Sequence, residues 1–426
     1  MNPKPDAGLK RIAHLSTHGY VDPIPHLGRT DTGGQVVYVL ELAKALSSLG
    51  IDVDIYTRWF DTERKSIDPL PDHPGVRVIR IPAGPWEFLP KEQIYDVLPE
   101  LADNMVGFIR DNDLQYDLYH GHYVDAGDVT LDVAKTMDRP AFFTAHSIGA
   151  WKREQMGGDP EKMEKKFNFE RRIVDELNIF KSVAAQSVTT EVQEEKIAEL
   201  YDWTAENIVV ISPGVDVHTF QPLAPSERRQ ETDLADSYIF CLSRIDTNKG
   251  HDFLLHAFDL VRKKAPTTHL VIGGGSPTPG ERELGVKAMM EGIIDEKGMH
   301  DNVSIVGYVP DEMLVPYYRQ AEMFVLPSLF EPFGMTALEA MACGTPVVAS
   351  RLGGIRTVIT SEENGLLVDP SDPAEFAEAI VRLLRDESLG ERLGEAGRET
   401  IIRQYSWEAI AERHIAFYRK FMPGRG

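Results

Sequence analysis

The sequence predicts an α/β protein made of two doubly wound, mainly parallel sheets. Three observations carry that prediction. A chain of 426 residues is too long for one ordinary core and suits two domains of roughly 200 residues each. Short apolar runs alternate with helical stretches, and the alternation starts afresh at Tyr238. Between the two series lies a polar stretch of low periodicity, 221–236, which reads as a linker.

In the first series, Arg11–Ser16 reads as a strand, Val36–Leu46 as a helix and Asp52–Thr57 as the next strand, the opening of a Rossmann-like unit. Further strands are predicted at Val76–Ile81, Leu118–His122, Ala141–Ala145, Ser182–Ser187 and Ile208–Ile211, with helices over Lys91–Asp111 and Glu161–Phe180. The second series gives strands at Tyr238–Leu242, Thr268–Gly273, Val303–Gly307, Met323–Leu326 and Val347–Ser350. Trp407, Ile410, Ala411, Tyr418 and Phe421 fall on one helical face, with Ser406 placed to cap it. The predicted organisation is a Rossmann-like domain over 1–215, a second over 216–404 and a closing helix over 405–426 that packs back toward the first.

Composition narrows the functional classes. Hydrophobic residues make up 42% and charged residues 26%, ordinary for a soluble globular protein. No apolar run is long enough to span a bilayer, and Met1–Asp6 lacks the apolar core of a signal peptide, so the expectation is a cytoplasmic protein without a membrane partner. Cys241 and Cys343 are far apart in apolar surroundings and offer neither a disulfide framework nor a zinc site. A formal charge of −22 argues against nucleic acid, whose phosphates need a basic footprint. Any phosphorylated ligand must therefore be met by locally concentrated cations.

The first strand-to-helix turn carries Thr32-Gly33-Gly34-Gln35 in place of G-x-G-x-x-G, so a dinucleotide fingerprint is absent. Gly33 and Gly34 fit either a plain tight turn or a close backbone approach to a phosphate or sugar. Asp52-Val53-Asp54 has D-x-D spacing, but alternation within a strand sends both carboxylates to one face, which disfavours a metal role. In the second domain, Ser243-Arg244-Ile245-Asp246-Thr247-Asn248-Lys249-Gly250 places two cations in one loop after a strand, suited to charge developing on a leaving diphosphate.

The richest stretch is Phe330-Glu331-Pro332-Phe333-Gly334-Met335-Thr336-Ala337-Leu338-Glu339, continuing to Pro346. Gly334 just before the helix and Gly344 just after it bound good helix formers. The unpaired N–H groups and positive dipole end of that helix suit an anion. Glu331 and Glu339 bracket this N-terminus, and carboxylates accept paired sugar hydroxyls well.

An E-P-F-G turn followed by a second Glu eight positions on resembles the donor-sugar signature of retaining family-4 glycosyltransferases of the GT-B fold, two Rossmann-like domains facing a central cleft. Arg244 and Lys249 resemble that family's R-x4-K pair, and Ser212–Asp216 its interdomain segment. Ser16-Thr17-His18-Gly19, Asp31-Thr32-Gly33-Gly34-Gln35, Phe88-Leu89-Pro90-Lys91-Glu92, His122-Tyr123, His146-Ser147-Ile148-Gly149 and Arg171-Arg172 resemble the members that use fructose 6-phosphate, the sucrose-phosphate and mannosylfructose-phosphate synthases. The tract Leu242–Ser350 looks closer to the latter. In one departure, the sequence reads Thr144-Ala145-His146-Ser147-Ile148-Gly149 where sucrose-phosphate synthases usually have G-H-S-L-G.

The resemblance implies a hexosyltransferase acting with retention by front-side displacement, without a covalent enzyme intermediate. It implies no required metal or other cofactor, with room for stimulation by Mg2+. Arg244, Lys249 and the backbone N–H groups of Gly33-Gly34 and Met335-Thr336 would hold the donor diphosphate, which itself takes the acceptor's proton. Glu331 would orient the donor hydroxyls, Glu339 the ribose, and His146 would contact the donor sugar, with Phe333, Gly334 and Leu338 completing the donor set. An acceptor phosphate needs its own cations, expected at Lys91, Lys152 and Arg172, with Arg171 on a different helix face. Gln35, Tyr123 and Ser147 would meet acceptor hydroxyls. The donor is expected to be GDP-mannose, with UDP-, ADP- or GDP-glucose as alternatives, and a phosphorylated product implies a downstream sugar phosphatase. A sugar-nucleotide epimerase of similar architecture would need no second set of cations, and a two-lobed binding protein would normally be exported.

Overall fold

A computed structural model describes residues 8–24, 33–156, 159–223, 234, 237–329, 331 and 333–422. The chain forms two compact units, one of Met1–Gly214 with Trp407–Gly426 and one of Val215–Ser406. Among the described residues no helix is long and apolar enough to cross a membrane. Phe330, Pro332, Asp31, Thr32 and most of the 221–236 linker lie outside the described residues.

The first unit holds eight strands: β1 (Arg11–Leu15), β2 (Asp52–Trp59), β3 (Ile67–Leu70), β4 (His73–Pro82), β5 (Leu118–His122), β6 (Ala141–Thr144), β7 (Ala185–Val188) and β8 (Ile208–Val210). They lie in the order β3-β4-β2-β1-β5-β6-β7-β8. All pair in parallel except β3, which runs antiparallel to β4. The second unit holds β9 (Ile239–Leu242), β10 (Leu270–Gly273), β11 (Val303–Gly307), β12 (Met323–Leu326), β13 (Val347–Ser350) and β14 (Leu366–Val368). Their order is β11-β10-β9-β12-β13-β14, parallel throughout. Helices cover both faces of each sheet, so most strands are buried on both sides and read as apolar runs, while β3, β8 and β11 are partly exposed. This is the α/β class with two doubly wound sheets that the sequence predicts.

Strand order fixes where ligands belong. In an open doubly wound sheet the crevice lies beyond the carboxyl ends of the strands, where the order reverses. In the first unit that point falls between β1 and β5, which places the segments after Leu15 and after His122 side by side. In the second it falls between β9 and β12, which brings together the segments after Leu242 and after Leu326.

Several predicted elements need correction. The helix expected over Glu161–Phe180 is two helices, Pro160–Phe167 and Phe169–Ser182, separated by Asn168 at φ +51°. Asn tolerates the left-handed conformation, and its side-chain amide donates to the Glu92 carbonyl at 2.7 Å, so the break is anchored. The Lys91–Asp111 stretch becomes a helix only from Leu98, after one tight turn at Ile94–Val97. Ser182–Ala184 precede β7 instead of belonging to it. Asp52 pairs with Arg11 at 2.8 Å, and Asp54 accepts from Arg77 and Tyr116, so the D-x-D carboxylates serve the sheet.

Candidate active site

At the β9/β12 crevice, Lys249 Nζ lies 2.7 Å from Glu331 Oε2, and Ser328 Oγ also faces this carboxylate at 3.4 Å. Lys249 is 6% exposed, so its charge is matched in a partly dry setting. Arg244, on the same loop, is exposed and has no ion-pair partner among the described residues. Behind Glu331, Gly353 at φ +86° lets its backbone pass close by, since a Cβ there would sit 2.1 Å from the Glu331 carbonyl oxygen. The Gly354 N–H donates to that same carbonyl at 2.8 Å.

Gly334, at φ +89°, starts the Met335–Ala342 helix, whose first residues Met335 and Thr336 stay partly exposed. Glu339 accepts a hydrogen bond from Tyr318 Oη at 2.8 Å. Its confined surroundings push its carboxyl up to about 7, with Tyr318 opposing the shift and Asp311 adding to it. Phe333 is buried against Tyr405, and Leu338 is 0% exposed in the apolar core, which leaves only its backbone to meet a ligand. Tyr318 is a residue that sequence reasoning did not single out, because nothing local links it to a glutamate 21 positions on.

In the first unit, Lys91, Tyr123, Lys152 and Arg172 line one pocket with Glu92, Tyr95, Phe167 and Phe169. Burial pushes the Tyr95 and Tyr123 phenols above their usual range, so both remain protonated donors. The Arg172 guanidinium lies 4.6 Å from the Tyr123 ring centre and donates to the Ser147 hydroxyl and carbonyl at 2.9 and 3.0 Å. Its Nε donates to Glu176 at 2.8 Å, so much of its charge is already balanced. Glu176, one helical turn on and 1% exposed, also accepts from the Gly149 N–H and from Tyr201, fixing the start of the helix that carries Lys152. Glu176 was missed by sequence reasoning, although an Arg followed four positions later by a Glu on a helix is a signal that could have found the pair. Arg171 instead lies over Tyr95 and pairs with Asp175 and Asp96, half exposed.

Gln35 sits elsewhere in the crevice, where its side-chain amide donates to Ser16 Oγ and the His122 carbonyl, tying β1 to β5. Gly33 and Gly34 begin the Gly34–Ser48 helix, with open space where a Cβ would stand. His146 follows β6 at φ +54°, and burial lowers its pKa to about 3, so the ring is neutral. Tyr123 adopts φ +77° and ψ 163°, a region that side-chain-bearing residues rarely occupy, and such strain clusters at functional sites. Just beyond it, Asp125 accepts from Thr17 and from His18 Nδ1 at 2.9 Å, which locks the loop after β1 to the segment after β5.

Paired cations and carboxylates at one switch point, with a basic, phenol-lined pocket in the other unit, suit a glycosyltransferase of the GT-B class. The comparisons agree. Residues 32–219 match Glycosyltransferase Family 4, and residues 225–400 match the Glycosyl transferases group 1. The chain is 39% identical over 422 residues to a mannosylfructose-phosphate synthase of Agrobacterium fabrum, covering 97% of this chain and 92% of that one. It is 34% identical to a D-inositol 3-phosphate glycosyltransferase of Corynebacterium jeikeium, covering 97% of each. The solved structure of a sucrose-phosphate synthase from Thermosynechococcus elongatus superposes with a TM-score of 0.73 at 32% identity, over 96% of this chain and 98% of that one. The protein belongs to this glycosyltransferase family and is a hexosyltransferase.

Proposed function

We propose that the protein moves a hexosyl group, preferably mannosyl from GDP-mannose, to fructose 6-phosphate with retention of configuration. The observation that carries this reading is the pocket holding Lys91, Lys152, Tyr123 and Arg172 in the first unit, separate from the Arg244–Lys249 loop of the second. Two sets of cations suit two phosphorylated ligands, and an epimerase needs only one. Lys91 and Lys152 supply charge to the acceptor phosphate, and Arg172, neutralised by Glu176, holds Ser147 and Tyr123 in place.

On the donor side, Arg244 meets the diphosphate and Lys249 serves both it and Glu331. A carboxylate held by Lys249 is positioned to accept donor hydroxyls and to balance positive charge at the anomeric carbon. The acceptor hydroxyl attacks from the face that the nucleotide leaves, and its proton passes to a departing phosphate oxygen. Similarity to the Agrobacterium synthase favours the mannosyl donor, and similarity to the Thermosynechococcus enzyme supports sucrose-phosphate synthesis from a glucosyl nucleotide as the second reading. The product would then pass to a sugar phosphatase.

Steady-state kinetics of Lys91→Ala test the acceptor assignment. The acceptor KM should rise at least about tenfold, the loss of one charge-assisted contact, while the donor KM stays within about twofold. A donor KM that rises while the acceptor KM holds would place the acceptor elsewhere.

A further inference from the structure

The face of the first sheet that packs under Gly34–Ser48 and the closing helix, Trp407–Phe421, changes character along its strands. Its amino-terminal half is apolar, with Ile12, Leu118, Phe142 and Ala185 in the core. Two residues further along each strand, on the same face, stand His14, His120, Thr144 and Ser187, each at 0% exposure. His122 continues the row, also at 0%. An apolar side chain would be cheaper at each of these positions, so a buried polar layer needs a reason.

The layer leads to His146. His122 Nδ1 lies 3.0 Å from His146 Nε2. The His122 ring stacks on His120 at 4.3 Å and 23°, and His120 uses both nitrogens, Nδ1 toward Tyr418 Oη at 2.6 Å and Nε2 toward Thr144 Oγ1 at 2.8 Å. Tyr38 presents its ring edge-on to His146 at 4.9 Å and bonds His414 Nε2 through its hydroxyl at 2.9 Å. Burial lowers the pKa of every histidine in the layer, so the rings are uncharged.

With neutral rings, one of the two facing nitrogens must donate and the other accept. His122 Nε2 is buried with no hydrogen-bond partner among the described residues. If that nitrogen carried the proton, a buried N–H would be orphaned, a rarer and costlier fault than an unused lone pair. The proton therefore belongs on His122 Nδ1, pointing at His146 Nε2. His146 must then carry its own proton on Nδ1, on a partly exposed ring whose Nδ1, unlike His122 Nε2, is not among the buried atoms left without a partner. We infer that His122 is a positioning residue that fixes His146 as the Nδ1–H tautomer, so that His146 meets its ligand as an uncharged hydrogen-bond donor. The functional half of this inference rests on the proposed sugar contact of His146; the tautomer half stands alone.

His14, His120 and His122 also bring one nitrogen each within 4.8 Å of one another, an arrangement with metal-ligand composition. Both nitrogens of His120 are already engaged by Tyr418 and Thr144, and the trio contains no anion, so the hydrogen-bond reading accounts for more of the layer.

Long-range proton–nitrogen NMR on protein labelled at histidine reads the tautomer directly, with the His146 signal assigned by its loss in His146→Gln. The inference expects a protonated Nδ1 and bare Nε2 in the wild type. In His122→Leu the signal should shift toward the Nε2–H form, and kcat should fall at least about tenfold with the acceptor KM unchanged. His122→Asn, whose amide nitrogen can stand where Nδ1 stood, should restore both the tautomer and most of the rate. A wild-type His146 protonated on Nε2, or a His122→Leu protein with unchanged tautomer and kcat, overturns the inference. The inferred tautomer together with no transfer to any acceptor supports the ring assignment and removes the functional reading instead.

Discussion

Lys249 and Glu331 stand 82 positions apart and meet only because β9 and β12 are neighbours. Each motif was legible as a local pattern, but their ion pair was not, because it depends on strand order. Lys249→Ala would leave a partly buried carboxylate without its partner. We expect donor kcat/KM to fall at least about a hundredfold, from loss of both diphosphate charge and Glu331 orientation, which initial rates at varied donor would show. Glu339 gives a pH signature. Its carboxyl is held up near 7 when folded, above its unfolded value, so the folded state binds the extra proton between the two. Its contribution to stability is therefore greatest below the ordinary carboxylate range and is lost as pH rises through about 7. Glu339→Gln should remove that slope, raising Tm at pH 8 by about 2–4 °C while leaving it unchanged near pH 4. The same variant should weaken nucleoside diphosphate binding at pH 8, and calorimetric titration checks both the direction and the site.

At the scale of elements, the apolar runs marked the buried strands, and the structure follows them within a few residues. Two strands escaped. β3 is an edge strand, half exposed and interrupted by Pro69, and β14 has only three residues, so neither carries a long apolar run. The break at Asn168 was also hidden, because no Gly or Pro marks it and Asn is only a moderately poor helix former. That break is testable. Asn168→Ala keeps a Cβ in the left-handed region without the polar side chain that makes that conformation tolerable, at a cost of about 1 kcal/mol, and loses the tie to Glu92. Because Phe167, Phe169 and Arg172 flank the break and line the pocket proposed for the acceptor, the variant should lower Tm and raise the acceptor KM. Asn168→Gly should recover most of the stability, since glycine accepts the conformation, but less of the KM.

For the whole molecule, the closing helix is the informative element. Trp407, Ile410, Ala411, Phe417 and Tyr418 are buried in the first unit's core, although the second unit lies between them and it in sequence. Their one-sided apolar spacing was visible in the chain, but the polar contacts they bring with them were not. His414 and Tyr418 join a histidine layer assembled from four strands and two helices, and no local pattern announces such a cluster. A chain ending at Ser406 should expose this core and melt at a lower temperature, in a single event assigned to the first unit, by differential scanning calorimetry.

The central claim is that one unit serves a nucleotide sugar and the other a phosphorylated sugar acceptor. Its most direct test is nucleoside diphosphate release from GDP-mannose, GDP-glucose, UDP-glucose and ADP-glucose, each with fructose 6-phosphate, fructose or inositol 3-phosphate. The account predicts rapid release with GDP-mannose and fructose 6-phosphate, and little with unphosphorylated fructose. Equal rates with fructose and fructose 6-phosphate, or release that ignores the acceptor altogether, would contradict it.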